Sequence, residues 1–161
     1  MYVVNRVSQR PDLAGGWDHP SWAGANVLKV KWFHPNSSDH RPQTQAKLLH
    51  DGRHVYIMFH VRDRYVRAVR TEFQSEVWLD SCVEFFVQPK ESGGYFNFEV
   101  NCGGAMLVYY IERPAGADDT AAKRTVLPRA FRESIELRRS MPAVVDPELS
   151  LIHISEPTRP Y

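Results

Sequence analysis

Ser81-Cys82-Val83-Glu84-Phe85-Phe86-Val87-Gln88 and Tyr95-Phe96-Asn97-Phe98-Glu99-Val100-Asn101-Cys102 decide the fold. In both runs apolar side chains recur at every second position, the period of a β-strand. Pro89 ends the first run, and Gly93-Gly94 punctuates the gap before the second. A short gap of this kind predicts an antiparallel hairpin. Alternation then assigns faces. Val83, Phe85 and Val87 share one face with Phe96, Phe98 and Val100. Cys82, Glu84 and Phe86 share the other with Asn97, Glu99 and Asn101. The apolar face is expected to look into a core and the polar face outward. Cys82 and Cys102 then point to opposite sides, which argues against a disulfide between them.

Outward from this hairpin the chain keeps the same rhythm. Residues 27–34 alternate as a half-buried strand, and residues 44–49 form a second. Asp51-Gly52 is a strong hairpin signal leading into residues 53–61, where Val55, Ile57, Phe59 and Val61 oppose Tyr56, Met58 and His60. Residues 71–80 read as a loop carrying Trp78. Residues 105–112 are a further strand, and 131–139 fit strand or helix. The first 26 residues have no period and read as a covering segment with Trp17 and Trp22 as anchors. Many short strands without a persuasive helix predict an all-β protein, an antiparallel β-sandwich. Its expected core is Val55, Ile57, Phe59, Val83, Phe85, Phe96 and Phe98.

Composition narrows the function classes. The chain has 161 residues, enough for one domain. Its 8 Phe, 7 Tyr and 4 Trp can build a core and exclude general disorder. The net charge of +1 supplies no field to draw nucleic acid or an anionic membrane to the protein. No run of ~18 apolar residues predicts a membrane span, and the first ten residues hold no signal-peptide core. The compartment is not readable. Two cysteines are too few for a disulfide scaffold.

The end of the chain is of a different kind. Residues 149–159, Leu-Ser-Leu-Ile-His-Ile-Ser-Glu-Pro-Thr-Arg, resemble the in-frame translation of a transposon-end sequencing adapter. On that reading residues 1–148 are a C-terminally truncated domain, a fragment lacking its last strands, and 149–161 are a non-native tail. Leu151 and Ile154 could then pair along the open sheet edge as a makeshift strand.

The polar face is the chemical feature. Acids and amides are poor strand formers, and Glu84 and Glu99 repel each other if adjacent. A ligand with several hydroxyls, or a cation, relieves both problems. Trp78 stands six residues before Glu84. An indole face stacks on the C–H bonds of a pyranose while acids and amides take its hydroxyls. The plain alternative is a solvated sheet face with Trp78 capping the core edge.

Val77-Trp78-Leu79-Asp80-Ser81-Cys82-Val83-Glu84-Phe85-Phe86-Val87, with Tyr95-Phe96-Asn97-Phe98-Glu99-Val100-Asn101, resembles the centre of family 9 carbohydrate-binding modules. The preceding hairpin, Leu48 through Asp51-Gly52 to Val55-Tyr56-Ile57 and Val61-Arg62-Asp63, fits as well. The resemblance implies a sugar-binding sandwich without catalytic machinery, of a kind often linked to glycoside hydrolases that degrade polysaccharides. It implies that Trp78 walls the sugar slot and that Glu84 and Asn101 bind hydroxyls of a mono- or oligosaccharide. The family's better-known members carry arginine where this chain has Glu99, and their second slot tryptophan lies beyond its end. Trp78, Glu84, Asn97, Glu99 and Asn101 are thus the expected ligand-binding residues, with no catalytic group and no cofactor. Calcium is a family option, with Asp63 and Asp80 as isolated candidates. Two rival readings are a glycosidase using Glu84 and Glu99, and a haem-binding sandwich for electron transfer with Met58, His60, His54 or Met106 as axial ligands.

Overall fold

The computed structural model describes residues 1–32, 39–91, 93–112 and 122–146. The boundary at 148, the tail with Leu151 and Ile154, Phe33 and His34, and most of the loops at 35–42 and 113–120 lie outside the described residues. The chain divides into two compact units, Met1–Arg64 and Tyr65–Tyr161. Each is built on a four-stranded sheet, the two-sheet, all-β composition expected of a β-sandwich.

The first unit contains β1 (Asn5–Arg6), β2 (Val27–Val30), β3 (Gln43–His50) and β4 (Val55–Arg62). β3 is central. It pairs antiparallel with β4 along its whole length, and on its other side with β2 and, in parallel, with the two residues of β1. The β3–β4 turn is Asp51-Gly52, as its sequence predicts. Gly52 takes φ 96°, a left-handed conformation that suits glycine. Asp51 caps the turn by accepting from the backbone N–H groups of Arg53 and His54 and from the Tyr56 hydroxyl.

The N-terminal segment does cover this sheet. Trp22 is 1% exposed, and its indole N–H donates to the Asp12 carbonyl at 2.9 Å. Around it pack Leu49, Tyr56, Val7, Leu13, Ala25 and Met58. Trp17 lies against the His60 ring and under the Lys47 ammonium, whose Nζ donates to the Trp17 carbonyl at 2.7 Å. The covered side of β4 is therefore the Tyr56, Met58, His60 side, not the expected one. Val55 is 56% exposed, and Ile57 and Phe59 are half-buried. β2 is exposed throughout rather than half-buried, because it is an edge strand.

Among its described residues the second unit holds β5 (Cys82–Val87), β6 (Tyr95–Asn101), β7 (Met106–Glu112) and β8 (Lys123–Val126), in sequential antiparallel order, and one short helix, α1 (Arg129–Glu133). β5 and β6 form the expected hairpin, in register Val83↔Val100, Phe85↔Phe98 and Val87↔Phe96. Here too burial departs from expectation. Val83, Phe85, Phe96 and Phe98 are only half-buried; Phe131 of α1 stacks on Phe96 with ring centroids 5.9 Å apart. The deeper cluster is on the opposite face, where Val77 (0% exposed), Leu107 and Ala105 pack with Cys82 and Tyr109. The expected seven-residue core is thus corrected: parity groups the residues properly, but each sheet has a chain segment laid over its other face. Both cysteines are free. No helix among the described residues is long and apolar enough to cross a membrane.

These burials set a test. Leu107→Ala should cost ~2–5 kcal/mol in urea unfolding, since it empties a packed site. Val55→Ala should stay within ~0.5 kcal/mol. Equal costs at the two positions would contradict this packing.

Candidate functional site

The site begins with one buried carboxylate. Asp80 follows a single 3-10 turn, Val77–Leu79, and its side chain has no exposed surface. Its Oδ2 accepts from the backbone N–H groups of Val69 (3.1 Å) and Arg70 (3.0 Å) and from Asn101 Nδ2 (2.9 Å). Its Oδ1 meets the Arg70 guanidinium at 3.1 Å and Arg67 Nε at 3.6 Å. Burial opposes the charge, but the bonds from the Arg70 backbone, Asn101, the Val69 backbone and the Arg70 side chain outweigh it. The carboxyl is held below the usual aspartate range. Ser81 adds a second tie, with its Oγ accepting from Arg67 N at 3.0 Å and its N–H donating to the Arg67 carbonyl. The Trp-x-Asp-Ser order therefore has a local cause: Asp80 and Ser81 lash the turn to residues 67–70 just before β5 starts.

Gln74 fastens the other end of the loop. It sits at φ 70°, which a non-glycine residue adopts only when held. Its side chain accepts from Val108 N and donates to the carbonyls of Val108 and Leu127, bridging this pair just past the last β7–β8 register pair, where Leu127 N also donates to the Val108 carbonyl. With both ends tied, the 3-10 turn packs on β5 and β6. Val77 is driven into the cluster with Leu107, and Trp78 is left 52% exposed beside it.

Beneath and beside that turn runs a row of polar side chains. Glu84 is the direct cross-strand neighbour of Glu99, Phe86 of Asn97, and Cys82 of Asn101. The row continues through Leu107 and Tyr109 of β7 to Val126 and Arg124 of β8. Glu84 is exposed, and Phe86 is 54% exposed with its ring 6.1 Å from that of Tyr95. Asn97 and Glu99 are buried, 7% and 8% exposed. Asn97 Nδ2 donates to Glu99 Oε1 at 2.7 Å, while Asn97 Oδ1 and Glu99 Oε2 have no hydrogen-bond partner among the described residues. Burial, then the charge of Glu84, pushes the Glu99 carboxyl up; the Asn97 bond and Arg124 only partly offset this.

Glu84, Asn97 and Glu99 are thus neighbours on one sheet face, and Trp78 stands on the turn that packs on the same two strands. Asn101 shares the face but not the expected exposure. At 2% exposed, it donates to the Arg70 carbonyl and Asp80 and accepts from Ala105 N at 2.9 Å. Its amide joins β6 to the turns on either side. The expectation of an outward polar face is likewise corrected for Asn97, Glu99 and Asn101, because the 71–80 loop lies over them. Phe86 was not singled out beforehand, although an aromatic with the parity of Glu84 was the available signal.

Asp80 is spent on its own loop, and Asp63 Oδ1 lies 2.8 Å from His40 Nε2. Among the described residues no three His, Cys, Asp or Glu side chains gather as a metal site. The proposed haem ligands have other surroundings: His54 bonds Asp51, His60 lies on Trp17, Met58 packs on the Trp22 cluster and Met106 is 2% exposed. Glu84 and Glu99 stand side by side on one sheet face rather than on facing walls around a scissile bond.

A family model described as "Carbohydrate-binding family 9" matches residues 19–141. Among solved structures, a crystal structure of a "putative carbohydrate-binding protein" from Bacteroides uniformis is similar, at 26% identity and a TM-score of 0.59. The match covers 68% of this chain and 47% of that one, so this chain corresponds to about half of that protein's length. No curated protein matches.

The two acids predict opposite pH signatures. Asp80→Ala should cost ~3–5 kcal/mol, because it strands buried donors and Arg70. The stability that Asp80 adds over Asp80→Asn should be complete above about pH 3.9 and vanish as pH falls through its lower folded value. Glu99 has a raised folded value, so its ionisation should erode stability as pH rises from about 4.3 through that value. Glu99→Gln should remove this second slope. Denaturant melts across pH check both, and matching slopes in wild type and variants would contradict the assignment.

Proposed function

The chain belongs to carbohydrate-binding family 9, and from that premise we propose that it binds a saccharide on the face formed by Trp78, Glu84, Asn97 and Glu99. One observation carries the reading most directly. The anchored loop holds Trp78 half exposed on the two strands that bear the polar row. A large aromatic surface left open costs free energy in water unless something docks on it. A pyranose ring fits, since its C–H face stacks on the indole while its hydroxyls meet carboxylate and amide oxygens. Phe86 extends the apolar platform on the neighbouring strand position.

Binding without catalysis is part of the proposal. Two carboxylates paired across adjacent strands are well placed to accept hydroxyls, and that is the role proposed for them. Association with polysaccharide degradation, through a linked glycoside hydrolase domain, follows from the same reading. Asn101 contributes by holding the turn in place rather than by exposing its amide. One stacking wall and a few solvated hydrogen bonds offer ~4–8 kcal/mol net, which means micromolar to millimolar affinity.

Calorimetry with glucose, xylose and their β-linked oligomers should show binding in that range, and Trp78→Ala should abolish it with an unchanged melting temperature. Aryl-glycosides should not be hydrolysed. Full binding by Trp78→Ala would refute this placement of the ligand.

A further inference from the structure

The polar row is rich in acceptors and short of counter-charge. Glu99 Oε2 and Asn97 Oδ1 are buried without partners among the described residues, in residues more than nine-tenths buried. The other Glu99 oxygen already takes the Asn97 amide. The cross-strand neighbour of Glu99 is Glu84, a second negative charge. The cation sharing this face, Arg124, is exposed on β8, beyond β7 from Glu99. Two neighbouring carboxylates, one of them desolvated and half-satisfied, are costly in the free protein. A neutral sugar supplies donors but leaves that charge uncompensated.

We propose that the ligand of this face is an amino sugar, with its protonated amine held by Glu84, Glu99 and Asn97 Oδ1 and its ring on Trp78. The inference rests on the saccharide reading above and adds the ligand's charge. An ammonium carries three N–H donors, and three acceptor groups stand here in adjacent register positions. Hydrogen bonds between ionised partners are roughly twice as strong as neutral ones. The exposed indole attracts a cation as well as a C–H face. A bare divalent ion fits less well. Calcium takes about six to eight oxygens, whereas two carboxylates and one amide supply fewer, and the ion would have no use for Trp78 or Phe86. Burial first, and then the Glu84 charge, push the Glu99 carboxyl up, and a positive ligand group beside it would oppose both.

Calorimetry on the full 161-residue chain at about pH 6, where the amine is protonated, separates the possibilities. The titrants are glucosamine, its neutral N-acetyl counterpart, glucose and calcium chloride. Glucosamine should bind at least about tenfold more tightly than the two neutral sugars, a margin of about 1.4 kcal/mol. Glu99→Gln should erase most of that margin while weak glucose binding persists. Glu84→Gln, at an exposed position, provides the same comparison if Glu99→Gln does not fold. Equal affinity for glucosamine and glucose would overturn the amino-sugar inference and leave the saccharide reading standing. Absence of binding by all three sugars would overturn both. Calcium binding lost in Glu99→Gln, with no preference for the amine, would replace the proposal with a metal site.

Discussion

The buried carboxylate of Asp80 is the constraint on which the second unit depends. A desolvated charge survives only when its lone pairs are filled. Here they are filled from two directions: the 67–70 segment and the end of β6 through Asn101. Satisfying that one group fixes where the 71–80 loop crosses the sheet. Val77 then falls into the cluster with Leu107, and Trp78 can only stand at the rim. The same constraint explains why Asn101, on a polar face, has no exposed amide. Its hydrogen bonds close the network that positions the loop.

Much of this was legible in the sequence because strand alternation is a local property. The β5–β6 hairpin, the Asp51-Gly52 turn, the Trp22 anchor and the grouping of Glu84, Asn97 and Glu99 all follow from parity and turn chemistry. Which face is covered is not local. Residues 71–80 carry no period that announces a lid over β6, and residues 1–26 none that announces docking on the Tyr56, Met58, His60 side. The expected core residues Val83, Phe85, Phe96 and Phe98 were grouped properly and assigned too much burial for that reason. β8 escaped detection because Lys123-Arg124-Thr125-Val126 is an exposed edge strand without alternation, and β1 because two residues carry no pattern. Gln74 was invisible, since its value lies in bridging the backbones of Val108 and Leu127 just beyond β8.

The candidate site follows from the same economy. Loop docking leaves the large Trp78 ring half in solvent, while the same sheet face buries two polar side chains with oxygens unmet among the described residues. Free proteins rarely keep such groups without a use, since each orphaned acceptor forfeits ~1–3 kcal/mol. Glu99 and Asn97 give the floor of the face acceptor oxygens. On the proposed reading, the face suits a ligand that brings donors and positive charge.

The central claim is that the face formed by Trp78, Glu84, Asn97 and Glu99 is where this chain meets its saccharide. Two-dimensional NMR of isotope-labelled protein, titrated with amino and neutral sugars, locates the contact directly. The account predicts that the Trp78 indole N–H and the backbone amides of Glu84, Asn97 and Glu99 shift together along one saturable curve, with Trp17 and Trp22 unmoved. Shifts centred on Trp17 and His60, or a spectrum indifferent to every sugar, would contradict it.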